Sequence, residues 1–215
     1  MIRYIGEIEP IKWGEGEEII ARYKNVPGVW ILVGRRKVTG KPCLECLQVA
    51  KCNDIGGEIN RDTFYLKAEK SEPVPKDYVN QFGEHIFEYR EYPNRAKLLY
   101  KDIAENYKDL IFICVAYGDE LKDDSLRKDI EKYVAYRTLC RYWVNGGQYK
   151  KKEIEEIKSI KEKCKEQCQA LFENIKEKYG EKADSMDKFL GSLIDGTFDD
   201  NNFEKDLKID DTLGC

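Results

Sequence analysis

The sequence predicts an α+β chain: a small mixed or antiparallel three-stranded sheet flanked by helices, with a long C-terminal helical extension. Three observations carry this expectation. All six prolines lie at or before Pro93, so the first part of the chain is punctuated and strand-bearing while the remainder is free to be helical. Two short runs, GVWILVG and LIFICVAY, are rich in β-branched and aromatic residues and read as strands. Between 149 and 179 apolar residues recur at steps of three and four between charged flanks, the pattern of an amphipathic helix.

Taken in order, GVWILVG (28–34) is the first strand, RRKVTGK a turn, and 44–51 the second strand. Gly34 and Gly40 in the connection suit an antiparallel hairpin with more than a two-residue turn. A helix is expected over 57–69, a loop or insertion over SEPVPKDYVNQFGEH, and a further helix over RAKLLYKDIAENY (95–107). LIFICVAY (110–117) is apolar on both faces and therefore central in its sheet. The next helix opens on the Asp and Ser capping residues of GDELKDDSL and continues through Leu126, Ile130, Tyr133, Val134 and Arg137, until VNGG (144–147) ends it. Its successor places Ile154, Ile157, Ile160, Cys164, Cys168, Leu171, Ile175 and Tyr179 on one stripe. Its 31 residues would extend about 46 Å. The chain divides accordingly into an α/β domain at 1–147, the long helix at 148–180, and an acidic, helical or loose tail at 181–215.

Composition narrows the function classes. A hydrophobic fraction of 41% in 215 residues supports a buried core. No apolar run approaches the roughly 20 residues needed to span a bilayer, so no membrane partner is expected. MIRYIGEIEP has no basic region followed by an apolar stretch and is not expected to be a secretory signal. Eight cysteines in such a chain point to reduced thiols in a cytoplasm, without a structural disulfide. The net charge of −4 argues against a dedicated nucleic-acid binder. The charge is uneven, however, with nine acidic against three basic residues between Asp184 and Asp211 and a slightly basic body before them. That distribution fits nucleic-acid contact as well as a plain solvated tail.

The cysteine pattern PCLECLQVAKC poses a choice between a zinc site and a strand. Thiolates on one zinc must converge at about 2.3 Å each. On a strand, Cys43 and Cys46 are three apart and point to opposite faces, while Cys46 and Cys52 share a face but stand about 20 Å apart. The only histidine is His85, with no ligand partner at the right spacing. Cys164 and Cys168 fall in an apolar stripe, where a thiol behaves as a small hydrophobe. A strand and no zinc are expected.

With both strands accepted, Pro27-Gly28-Val29-Trp30-Ile31-Leu32, a turn, and Leu47-Gln48-Val49-Ala50-Lys51-Cys52-Asn53-Asp54-Ile55 resemble the GIY-YIG nuclease superfamily. Gly28-Val29-Trp30 stands for the first triplet and Gln48-Val49-Ala50 for the second. The order that follows is also similar: a third strand, then a helix offering Glu131 in the place of the family's metal-binding glutamate and Asn145 just beyond it. The resemblance covers about residues 25–146, with an insertion near 71–94. It implies metal-assisted phosphodiester hydrolysis, with Mg²⁺ on Glu131 if the chain is active. Tyrosines of the paired strands would orient a water and an arginine of the first helix would stabilise the phosphate.

The sequence departs from that pattern where the chemistry sits. Trp30 and Gln48 replace the two tyrosines, Ala50 the second glycine, and Glu58 falls near the usual arginine position. An indole N–H donates but is no base. Arg61, three residues on, and Lys51 are the candidate replacement cations. The catalytic positions are therefore Trp30, Gln48, Lys51 and Arg61, with Glu131 as metal ligand. Arg35, Arg36, Lys37 and Lys41 form a basic cluster beside the site that could contact phosphates. The expectation is a nucleic-acid-binding domain with weak or lost cleavage. The alternative is an interaction or homo-oligomerisation module working through the 149–179 helix.

Overall fold

A computed structural model of the protein describes residues 10–12, 23–37, 44–59, 62, 78–79, 85–86, 100, 103–138, 140–142 and 154–197. Its centre is an antiparallel sheet of β1 (Pro10–Lys12), β2 (Gly28–Arg36), β3 (Glu45–Cys52) and β6 (Tyr107–Tyr117), in the order β1-β6-β2-β3. The expected α+β class and antiparallel hairpin are both present. The long strands start or end within three residues of the expected bounds. β1 was not expected; its three residues carry too little pattern to read, and its opening proline suits the edge of a sheet. Within the expected loop, β4 (Tyr78–Val79) pairs with β5 (His85–Ile86) as a separate two-stranded ribbon.

Alternation along the strands builds two cores, one on each face of the sheet. Val29, Ile31, Val33, Ile111, Ile113 and Val115 fill the first. Trp30, Leu32, Phe112 and Cys114 fill the second, under Ile55 and Ile59 of the helical residues 55–59 and under Tyr100 and Ile103. The register shifts twice between β2 and β6, at Val29/Trp30 and Val33/Arg35, and once between β2 and β3. Leu32 pairs with Gln48 but Val33 pairs with Cys46, which leaves Leu47 as an extra residue in β3. This bulge corrects the expectation that Cys46 and Cys52 share a face. One inserted residue shifts the parity, so Cys46 enters the first core and Cys52 the second. The two thiols cannot meet on one metal.

The first face is covered by α1 (Asp124–Arg137), which follows a short 3₁₀ turn over Asp119–Lys122. Asp123 caps α1 by accepting from the Ser125 backbone N–H at 2.9 Å. α2 (Ile154–Tyr179) packs on α1, and α3 (Glu181–Ile194) packs on α2. Gly180, at φ 60°, joins them in one residue. Ile175 and Tyr179 of α2 and Ala183, Met186, Phe189, Leu190 and Leu193 of α3 belong to the same core as the sheet's first face. The divisions expected at 147 and 180 therefore do not separate cores. α3 is bound to α1 by polar contacts as well: Tyr133 Oη donates to Asp187 Oδ1 at 2.5 Å and Arg137 Nε at 2.8 Å. Residues 168–179 of the long stripe are seated on the protein's own body, whereas the side chains of 154–166 lie outside the described residues. Among the described residues no helix is long and apolar enough to cross a membrane.

Gly28 shows how tightly β2 is held. A Cβ there would lie 2.4 Å from the Ala116 carbonyl oxygen and 2.5 Å from Ile55 Cδ1. Neither the β6 backbone nor the buried Ile55 has room to retreat. Gly28→Ala is expected to cost about 2 kcal/mol by overpacking, read as a lower urea midpoint at unchanged m-value. A midpoint equal to the wild type would contradict this packing.

Candidate functional site

The end of β3 is where the chemistry-bearing residues gather. β3 is the edge of the sheet, so backbone groups on its outer side need partners from elsewhere. Farther up the strand, Arg141 and Tyr142 supply them, donating backbone N–H groups to Cys46 and Leu47. Beside Lys51 stands the Glu131 carboxylate of α1, on which both the Lys51 charge and its backbone N–H act. Arg127, one turn earlier, donates to the Cys52 carbonyl at 3.4 Å and to Asn53 Oδ1. Asp124, earlier again, accepts from Lys51 Nζ at 2.7 Å. Positions 124, 127, 128 and 131 share one helix face, so α1 carries a polar stripe that clasps residues 51–53.

The chain then turns into residues 55–59. Asp54 Oδ1 caps this turn from the Gly57 N–H at 3.0 Å and also accepts from the Asn25 N–H at 2.8 Å. Glu58, one turn on, accepts from Trp30 Nε1 at 3.3 Å. Trp30 itself is fully buried, edge-on to Phe112 at 5.4 Å. Between these two segments opens a cleft of about 460 Å³, lined by Lys51, Asn53, Asp54, Glu58, Asp124 and Arg127 among others.

Electrostatics follow from burial. Burial pushes the Glu131 carboxyl up to about 7; the neighbouring Lys51 charge and backbone bond oppose this, and the charges of Glu58 and Asp124 add to it. Hydrogen bonds from Lys128, Lys51 and Arg127 hold Asp124 well below the usual carboxylate range. The Cys52 thiol is pushed up to about 12 by burial and is no nucleophile at neutral pH.

Of the residues singled out from the sequence, Trp30 and Gln48 share the second face: Gln48 is opposite Leu32, two residues from Trp30. The Gln48 Oε1 is buried with no hydrogen-bond partner among the described residues. Lys51, opposite Val29, is on the first face with Glu131. The two pairs meet only at the end of β3, through Glu58. Arg61, Lys41 and Asn145 lie outside the described residues. The basic hairpin residues stand at the other end of the sheet. Arg35 and Arg36 are six and seven residues along β2 from the partner of Lys51, about 20 Å at strand rise. They are not beside the cleft, because the hairpin turn and the exit of β3 are opposite ends of one ladder. Their charges are also engaged, Arg35 with Asp109 at 3.5 Å and Arg36 with Glu45 at 3.4 Å. Lys37 Nζ donates to the Ala104 carbonyl at 2.7 Å.

Asp124, Arg127 and the Trp30–Glu58 bond are the parts that sequence reasoning did not single out. The only signal was the spacing of Asp124, Arg127, Lys128 and Glu131, which a solvated helix face shows equally well. As for the divalent cation that the resemblance implies, burial raises the Glu131 carboxyl to about 7, near half-protonation at neutral pH. Among the described residues no three His, Cys, Asp or Glu side chains form a metal-holding group. The residues described do not fit a resident cation there.

The shift of Glu131 makes a stability prediction. Its folded-state value of about 7 lies above the usual unfolded value of about 4.3, so the folded form binds the proton more tightly. Its contribution is full below the unfolded value and is lost as pH rises through about 7. Glu131→Gln should therefore gain on the wild type between pH 5 and pH 8, by about 3 kcal/mol at most. Urea denaturation at each pH measures this; parallel pH profiles for the two proteins would contradict it.

Compared with known proteins, the chain matches no family model, no curated protein and no solved structure.

Proposed function

We propose that this chain is a nucleic-acid-binding domain of GIY-YIG-like architecture that has lost phosphodiester hydrolysis. The observation that carries the loss is the hydrogen bond from Trp30 Nε1 to Glu58. At the two positions where the resemblance calls for a tyrosine and an arginine stands a donor–carboxylate pair committed to itself. The indole cannot take a proton from water, and the carboxylate repels the developing charge on a phosphate where a guanidinium would stabilise it. General acid–base help is worth typically 10²–10⁴-fold, so losing it together with the phosphate-stabilising cation leaves little catalysis.

Support for the binding half comes from the exit of β3, where Lys51 and Arg127 line an open polar cleft and Lys128 joins them on Asp124. Phosphate contacts of this kind position a strand without reading its bases. The order of elements supports the architecture: an antiparallel hairpin, a third strand antiparallel to β2, and then the helix bearing Glu131.

Labelled single- and double-stranded DNA and RNA, incubated with the full chain and Mg²⁺ or Mn²⁺, test both halves. Binding in the non-specific range of roughly 10⁻⁴–10⁻⁶ M, weakening steeply with salt and without cleavage, is expected. Cleavage that disappears in Glu131→Ala would overturn the loss of hydrolysis. Absence of salt-sensitive binding to all four would overturn the binding reading.

A further inference from the structure

Three cations converge on one carboxylate at the start of α1. Lys51 Nζ and Arg127 Nη2 reach Asp124 Oδ1 at 2.7 Å and 3.0 Å, and Lys128 Nζ reaches Oδ2 at 2.8 Å. Asp124 thus draws three cations to one carboxylate across two elements far apart in sequence, and the Glu131 carboxyl nearby also acts on Lys51 and Lys128. Arg127 is only 5% exposed, and its Nε is buried with no partner among the described residues. A guanidinium kept nearly dry at the wall of an open cleft is costly unless an anion answers it. The other acids of the cleft are taken by different donors: Asp54 by two backbone N–H groups and Glu58 by the indole. Asp124 is also half exposed, at the open side of the cleft, so a ligand can reach the same donors.

We propose that Lys51, Arg127 and Lys128 form a binding site for a phosphate group, and that Asp124 occupies it in the free protein as an autoinhibitory stand-in. Oxygens bridged by several ionised N–H donors are the way a phosphate is held. The first turn of a fourteen-residue helix adds a field that favours an anion. A bound phosphate displaces the Asp124 carboxylate outward, and the cations exchange one oxygen pair for another. The source of the phosphate rests on the nucleic-acid reading above, which would supply a strand terminus.

The test is calorimetric titration of the full chain with inorganic phosphate. Asp124→Asn removes the stand-in charge and should tighten phosphate binding at least tenfold over the wild type. Asp119→Asn, an exposed acid paired with Lys122, serves as the charge-matched control and should change it less than twofold. Adding Lys51→Met to Asp124→Asn should abolish the gain. Asp124→Ser, which keeps a good helix-start residue, gives the same comparison if the asparagine variant does not fold. An Asp124 variant no tighter than the Asp119 control would overturn the proposal, because a purely structural ion pair predicts lost stability and no gained ligand. The same titration with a 5′-phosphorylated oligonucleotide and its 5′-hydroxyl counterpart separates the sources. Failure of both oligonucleotides while the phosphate gain persists would overturn the nucleic-acid reading and leave the anion site standing.

Discussion

Arg127 is the constraint on which the functional end of this protein depends. A buried guanidinium must find acceptors in its fixed fork of donors, or the helix that carries it cannot dock. Here the acceptors are the Asp124 carboxylate one turn back, the Cys52 carbonyl and the Asn53 side chain. Meeting that demand fixes the axial position of α1 against the end of β3. Once α1 is placed, Glu131 stands beside Lys51 and Asp124 falls on the Lys51 ammonium. The edge of the sheet is thereby closed by side chains rather than by another strand. The same contacts leave the cleft between residues 51–58 and the start of α1 polar and open.

The opposite face is organised by burial rather than charge. Trp30 lies under the helical residues 55–59 and fills the second core, and its one polar atom is answered by Glu58. Glu58 is the link between the two faces, since its charge is felt by Glu131 across the strand end. A half-buried acid raised to about 7, on which the charges of Glu58 and Asp124 act, makes this corner sensitive to its ionic surroundings. An anion entering at Lys51 and Arg127 alters the balance that holds Glu131.

Much of the fold was legible because its elements are long and periodic. β2 and β6 are continuous apolar runs, and α1 and α2 carry stripes at helical spacing, so each was readable from its own residues. Three features were not. The bulge at Leu47 leaves no mark in composition, yet it moves Cys52 to the face opposite Cys46. The apolar stripe of α3, from Ala183 to Leu193, is masked by an acidic segment whose net charge reads as a solvated tail. β1 has three residues. The candidate site was legible only in part. The order of elements singled out Lys51 and Glu131, which the structure brings together, and also Trp30 and Gln48, which it puts on the other face. Arg127 could not be singled out, because a charged residue in a charged helix gives no sign of which copy is buried. The basic hairpin was misplaced for a topological reason: residues near in sequence to the strands' turn are farthest from the strands' exit.

The central claim is that α1 clasps the end of β3 through polar contacts to Lys51, Cys52 and Asn53. Native-state hydrogen exchange at the Lys51 amide reads it most directly. An edge-strand amide facing solvent exchanges with little protection. One covered by α1, with the Glu131 carboxylate beside it, should be protected to the level of the β2 interior amides and lose that protection in Glu131→Ala. A Lys51 amide that exchanges freely in the wild-type protein would contradict the clasp, and with it the cleft and the site built upon it.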